Sequence, residues 1–127
     1  MIFKFLPYQF SQVLNDFNNL QFKHSEDKAD MYKHLIPPSS LLGYQIKDVF
    51  LYFVCNNLVA SLITLNHNNI YFKPLLDKLT ELIGQNPTCQ NNYHKWATNT
   101  EILYCYYDKD SDVIRLYYTI VEYDVMV

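Results

Sequence analysis

Two stretches of the chain place apolar residues at the spacing of one helical face. The first begins at Phe10, where apolar residues recur at i, i+3, i+4 and i+7 and Asn, Asp and Gln fill the opposite side. This pattern predicts a helix over residues 10–20, with Ser11 as its N-cap. The second stretch, Phe72–Ile83, has a proline in its first turn and Gly84 at the position of a C-cap. It predicts another amphipathic helix.

Two pairs of β-rich segments predict hairpins. Gln45–Cys55 and Leu58–Leu65 are separated by Asn56-Asn57, and asparagine tolerates the positive φ of a tight type I′ turn. The first segment is apolar on both faces, which is typical of a strand covered on both sides. Glu101–Tyr107 and Val113–Val121 form the other pair, joined by an aspartate-rich link. Their alternation is blurred because tyrosines occupy both faces.

Three further segments carry no clear period. The polar run 24–28 predicts an exposed loop, Ala29–Ile36 fits either a short strand or a helical turn, and Thr88–Thr98 predicts a loop with a short strand. Runs of adjacent antiparallel strands with helices on one face indicate an α+β domain. We therefore predict one domain over residues 1–127, with an antiparallel sheet of about four to five strands built from two hairpins and two helices packed on one face.

Composition and charge exclude several classes of protein. Half of the 127 residues are hydrophobic and 17% are aromatic, with only two glycines and five prolines, so the chain is neither disordered nor of low complexity. The formal net charge is −3 and Arg115 is the single arginine. Because nucleic-acid binding requires clustered cationic side chains, we expect no nucleic-acid partner.

The sequence also bears on location. The apolar start is too short for a signal peptide and meets Pro7, and the longest apolar run, Val49–Cys55, is far too short to span a membrane. The chain has three cysteines, an odd number. Cys55 and Cys105 lie in strand-like segments, and Cys89 lies outside them. We expect buried reduced thiols in a cytoplasmic protein, although one disulfide remains an alternative.

Familiar cofactor and metal motifs do not fit the sequence. Two glycines cannot supply a P-loop or a dinucleotide fingerprint, and the four histidines share no metal-ligand spacing. The aspartates at 108, 110 and 112 begin like a calcium loop, but Val113 and Thr119 stand where that loop needs glycine and glutamate. We predict no cofactor and no metal, and expect these aspartates to cap backbone N–H groups of a hairpin turn.

The C-terminal third predicts a protein-binding surface that combines aromatic and acidic residues. Tyr and Trp are enriched at interface hot spots, and acidic groups steer a basic partner. The predicted contact residues are Trp96, Tyr104, Tyr106, Asp108, Asp110, Asp112 and Tyr117. The competing interpretation is that most of these rings pack in the core.

Two other functions stay open. One is a small-ligand-binding or Cys/His enzyme domain with a pocket near Cys89, His94 and Trp96, which would need the thiol exposed beside the imidazole. The other is a structural module that oligomerises by pairing sheet edges. The sequence does not fix the oligomeric state.

The order of elements resembles a known kind of protein. Gly43–Phe53, with Leu58 opening the return strand, is followed by a helix that ends in Leu82-Ile83-Gly84-Gln85-Asn86-Pro87, then by Trp96 and a closing hairpin. Over residues 43–121 this order resembles small uncharacterised bacterial α+β proteins of the immunity-protein type. Proteins of this kind include immunity proteins that neutralise a cognate toxin and small envelope or inhibitor domains, so the resemblance implies a binding role. Our leading hypothesis is a non-enzymatic protein that neutralises a cognate toxin by direct binding, and the acidic balance of the chain favours a toxin with a basic surface.

Overall fold

The computed structural model describes residues 2–26 and 28–125, which form nine strands and one α-helix, α1 (Phe72–Ile83). The strands are β1 (Leu20–Glu26), β2 (Ala29–His34), β3 (Ser40–Leu41), β4 (Tyr44–Val54), β5 (Asn57–Leu65), β6 (Thr88–Gln90), β7 (Tyr93–Ala97), β8 (Glu101–Asp108) and β9 (Val113–Ile120). They form one antiparallel sheet in the order β1-β2-β4-β5-β9-β8-β7-β6, with β3 paired to the start of β4.

The predicted α+β class, with four to five strands and two helices, is wrong: the chain is mostly sheet. A loop was predicted at 24–28, but residues 24–26 are the end of strand β1. The segment Thr88–Thr98, predicted as a loop with a short strand, contains the two paired strands β6 and β7. Six of the seven residues in β1 are exposed, and its last three residues are polar, so they carry no apolar alternation. The segment Ala29–Ile36, which fitted either a strand or a helical turn, forms strand β2 over Ala29–His34.

The predicted helix over residues 10–20 is also wrong, and Ser11 caps no helix. Apart from a single 3-10 turn at Leu14–Asp16, this segment is irregular and extended. It is pinned to the β4–β5 turn, where the Leu14 N–H donates to the Asn56 carbonyl over 2.8 Å. Its asparagines are weak helix formers, and Asn19 adopts a positive φ of 61°. The helical spacing of its apolar residues therefore reflects separate anchor points on the sheet.

The β4–β5 hairpin is confirmed, with its turn one residue earlier than predicted. Cys55 and Asn56 take the positive φ values, 50° and 68°, while Asn57 pairs with Val54. The expectation that Cys55 is buried is therefore wrong, because it stands exposed in the turn. A register shift between Ile46 and Asp48 places Ile46 in the same core as Val49 and Leu51, although strict alternation would put it on the opposite face from them.

The helix Phe72–Ile83 is confirmed with the predicted bounds. Leu75, Leu79 and Ile83 are buried along one side, and Gly84 ends the helix in the left-handed conformation, with φ 80°. Glycine suits this position because it has no Cβ to clash with the backbone. The helix packs on the sheet through its buried stripe.

One face of the sheet, here named the covered face, holds the main core. Helix α1 and the N-terminal segment lie over it, and Phe3, Leu6 and Tyr8 are buried there. The predicted strand pair Glu101–Tyr107 and Val113–Val121 is confirmed as β8 and β9, which send Cys105 into the same core. Burial raises the pKa of the Cys105 thiol, so this cysteine is held neutral.

The N-terminal segment meets the sheet at a histidine. The Tyr8 hydroxyl lies 2.7 Å from Nδ1 of His34, and the ring of Phe17 lies 5.9 Å from the same imidazole. Burial lowers the pKa of His34 and raises that of Tyr8, so both groups are neutral and the hydroxyl donates to the ring nitrogen.

This contact predicts a loss of stability in mild acid. The unfolded chain takes up a proton near the ordinary histidine pKa of about 6.5, whereas folded His34 resists protonation to lower pH. Neutral His34 therefore contributes to the free energy of unfolding above about pH 6.5, and this contribution is lost as the pH falls below that value. We expect the urea midpoint of the wild type to fall between about pH 7.5 and about pH 5.5 more than that of His34→Gln. Equal falls in the two proteins would contradict this role.

Candidate functional site

The second face of the sheet, here named the open face, carries no α-helix among residues 2–26 and 28–125. Cross-strand partners share a face, so the pairing register defines its membership. Its three rows are Phe50, Leu62, Tyr117 and Tyr104; Asp48, Thr64, Arg115 and Tyr106; and Tyr52, Ala60, Thr119 and Ile102. The C-terminal segment covers one end of it, where Tyr123 packs near Tyr52 with ring centroids 6.2 Å apart.

Tyrosines dominate this face. Tyr104 and Tyr117 stack with ring centroids 6.3 Å apart, and Tyr52 meets Tyr117 edge-on at 6.4 Å. Burial, together with a hydrogen bond to Asp124, raises the pKa of Tyr104, so its hydroxyl stays protonated and donates. Tyr106 and Leu62 remain half-buried at the margin of this cluster. The result is an aromatic surface with fixed ring orientations.

Arg115 lies on the same face in the central strand β9. Its Nη1 donates to the Thr64 hydroxyl at 2.8 Å, and its Nε donates to the Asp108 carboxylate at 3.2 Å. Burial alone would raise the pKa of Asp108, but hydrogen bonds from the Ser111 backbone and from Arg115 outweigh it and hold that pKa low. These two contacts therefore fix the orientation of the guanidinium.

Most of the acidic groups in this region are engaged within the chain. Asp108 accepts backbone N–H groups of Asp110 and Ser111, so the capping role predicted for the three aspartates is confirmed for Asp108 alone. Three other carboxylates accept tyrosine hydroxyls: Glu101 from Tyr118, Asp124 from Tyr104 and Asp112 from Tyr107. In the described part of the chain no cluster of three His, Cys, Asp or Glu side chains could hold a metal ion.

The structure separates the predicted contact residues into three groups. Trp96 is 2% exposed on the covered face, where its indole N–H donates to the Gln85 carbonyl over 3.0 Å. Tyr104 and Tyr117 are buried on the open face, and Tyr106 is half-buried beside them. Asp108, Asp110 and Asp112 lie at the β8–β9 turn, where Asp110 alone has no side-chain partner among the described residues.

The residues of the alternative pocket do not form one site. Cys89 and His94 are direct partners across β6 and β7, and Cys89 is exposed. Neither side chain makes a hydrogen bond among the described residues, so no third group orients the imidazole. Trp96, the third predicted member, is buried in the core. A Cys/His nucleophile requires such an orienting group.

A cleft of about 720 Å³ opens at one end of the sheet. Asn69 and Phe72 line it from the start of α1, Asn91 and Tyr93 from the β6–β7 turn, and Lys109 from the β8–β9 turn. Sequence patterns did not bring this cleft together, because its residues come from three separate segments. Three of its lining residues are nevertheless among those predicted from the sequence: His94 for the alternative pocket, and Tyr106 and Asp108 for the protein-binding surface. The asparagine pair at 91 and 92, with positive φ values of 51° and 71°, makes a second tight turn.

The sheet edges bear on the oligomerisation hypothesis. At one edge β1 carries Lys23, His24 and Glu26 and a register shift between Phe22 and His24. At the other edge β6 has only three residues. Charged side chains, bulges and short strands are the features by which natural sheets block edge-to-edge pairing.

No protein-family model, curated protein or solved structure matches this chain. The resemblance to immunity proteins therefore stays a prediction. No helix among the described residues is long and apolar enough to cross a membrane.

Proposed function

We propose that this chain is a non-enzymatic protein-binding domain whose contact surface is the open face. The observation that carries this proposal is the one-sided cover of the sheet. Within the described ranges, α1 and the N-terminal segment lie over one face, while Leu62, Tyr52 and Tyr106 remain only partly buried on the other. Tyr104, Tyr117 and Ile102 are already buried on this face, so its accessible apolar part includes the three partly buried side chains and Tyr93, which is 36% exposed. Apolar and aromatic side chains that stay accessible side by side suit an interaction site.

The arrangement of this surface suits a protein partner. Tyr and Arg are the residue types that contribute most to interface hot spots, and here both lie on central strands. The contacts of Arg115 to Thr64 and Asp108 hold its guanidinium in place, so less side-chain entropy is lost on binding. The net charge of −3 favours a basic partner, although most nearby carboxylates are already hydrogen-bonded.

The test is affinity capture from cells of the source organism with a matched pair of variants. Leu62→Lys places a charge on the open face, while Leu82→Lys makes the same change on α1, where Leu82 is 51% exposed. We expect the wild type and Leu82→Lys to retain the same partner and Leu62→Lys to lose it. Circular dichroism and the urea midpoint verify that each variant is folded. Equal capture by both variants would contradict the assignment of the open face.

Immunity against a toxin is the specific form of this proposal that the resemblance suggests. It requires a 1:1 complex with the product of the neighbouring gene and survival of cells that express both proteins. Asp110→Lys should slow association about 3- to 10-fold at low salt, because Asp110 is exposed and has no side-chain partner in the described ranges. Absence of a complex with that product would remove the immunity role while leaving protein binding open to the capture test.

A further inference from the structure

The cleft beside the open face has the dimensions of a small-ligand site. Its volume of about 720 Å³ lies within the range of about 300–1,000 Å³ typical of such sites. It extends from the start of α1 to the turns that join β6 to β7 and β8 to β9. The groups that line it determine which chemical class of ligand it suits.

Aromatic rings form two of its walls. Tyr93 and Tyr106 meet edge-on with centroids 4.7 Å apart, and Phe72 and Tyr107 lie 6.4 Å apart across the covered side. The face of an aromatic ring is electron-rich and attracts weakly positive C–H bonds. A sugar ring presents such C–H bonds on one of its faces.

Free amides supply the polar contacts. The side chains of Asn69, Asn91 and Asn92 line the cleft and make no hydrogen bond among residues 2–26 and 28–125. Each amide offers one acceptor oxygen and two donor hydrogens. A sugar hydroxyl both donates and accepts, so neighbouring hydroxyls match an amide more fully than a purely cationic or anionic ligand does.

The charge of the cleft disfavours phosphorylated ligands. Asp108 is paired with Arg115 at 3.2 Å, which leaves Lys109 as the one lining cation without an ion pair in the described chain. Phosphate recognition ordinarily uses arginine forks or several charge-assisted donors. From the aromatic walls, the free amides and the low charge, we propose that the cleft binds a saccharide of one or two sugar rings.

Tyr106 and its cross-strand partner Tyr93 border both the cleft and the proposed protein-binding face. The variant that separates the two sites is therefore one that alters neither ring. Asn91→Gly deletes an amide while keeping the positive φ of the turn, since glycine adopts that conformation freely. Asn56→Gly makes the same change in the β4–β5 turn, where φ is 68°, and serves as the control. Tyr93→Ala removes one aromatic wall.

The experiment begins with the fluorescently labelled protein on a printed array of bacterial and animal glycans. The saccharide with the strongest signal is then titrated into ¹⁵N-labelled protein, and the Asn side-chain amide signals are followed by NMR. We expect binding to one class of glycan, shifts at Asn91 and Asn92, and affinity about 5- to 10-fold weaker in Asn91→Gly and in Tyr93→Ala. Asn56→Gly should bind like the wild type.

Three results would overturn the proposal: no binding to any glycan on the array, unchanged affinity in both cleft variants, or NMR shifts confined to residues outside the cleft. Matching urea midpoints for Asn91→Gly and Asn56→Gly would show that weaker binding does not come from unfolding. Loss of the protein partner in the capture experiment would leave this result unaffected, so the two proposals fail separately.

Discussion

Trp96→Ala is expected to lower the free energy of unfolding by about 3–5 kcal/mol, the range for truncation of a large buried aromatic side chain. Trp96 is 2% exposed, and its indole N–H donates to the Gln85 carbonyl, just beyond the end of α1. The ring therefore joins the helix connection to β7. Removing the ring leaves a cavity, which is the main loss, and breaks the hydrogen bond to the Gln85 carbonyl.

Urea denaturation followed by circular dichroism measures this effect. Tyr93→Ala is the control, because Tyr93 lies on the same strand with 36% of its surface exposed and should cost about 1 kcal/mol. Trp96→Phe retains much of the ring volume but not the N–H donor, so its stability should fall between those of the wild type and Trp96→Ala. Similar losses in Trp96→Ala and Tyr93→Ala would place Trp96 at the surface instead.

Phe3→Ala is the second substitution with a large expected effect, and it should lower the free energy of unfolding by about 3–5 kcal/mol. Phe3 is 0% exposed, and its ring meets Tyr118 of β9 edge-on, with centroids 5.4 Å apart. The N-terminal segment thus closes the covered face even though it contains no regular helix. This outcome is notable because the resemblance drawn from the sequence covers only residues 43–121.

The control for Phe3→Ala is Phe22→Ala. Phe22 belongs to the edge strand β1 and is 54% exposed, so the same change in chemistry should cost about 1 kcal/mol or less. Midpoints of urea denaturation compare the two variants directly. If Phe3→Ala were as stable as Phe22→Ala, the N-terminal segment would not be part of the core.

Sequence patterns predicted the elements whose signals are local. Helix α1 has an apolar stripe and a glycine cap within one segment, and the β4–β5 hairpin has two β-rich runs around a tight turn. The helical spacing around Phe10 gave a wrong prediction because Phe10 is positioned by stacking on Tyr118 and not by packing within a helix. The centroids of the two rings lie 4.4 Å apart. Contacts between distant parts of the chain leave no periodic signal.

The candidate sites were less accessible to sequence reasoning for the same reason. The last three residues of the edge strand β1, at positions 24–26, are all polar, so this part of its sequence predicts a loop. Tyr104 and Tyr106 were predicted as contact residues from their residue type, but the face that they share with Leu62 depends on the order of β5, β9 and β8. Arg115 was noted only for its rarity, while its contact with Thr64 spans distant strands.

Photocrosslinking in cells tests the proposed contact surface most directly. A photoreactive benzoylphenylalanine is placed at position 62 on the open face or at position 82 on the exposed side of α1. We predict that irradiation joins the position-62 protein to a single partner and that the position-82 protein gives no such product. The same partner crosslinked from position 82 and not from position 62 would contradict the open face as the binding surface.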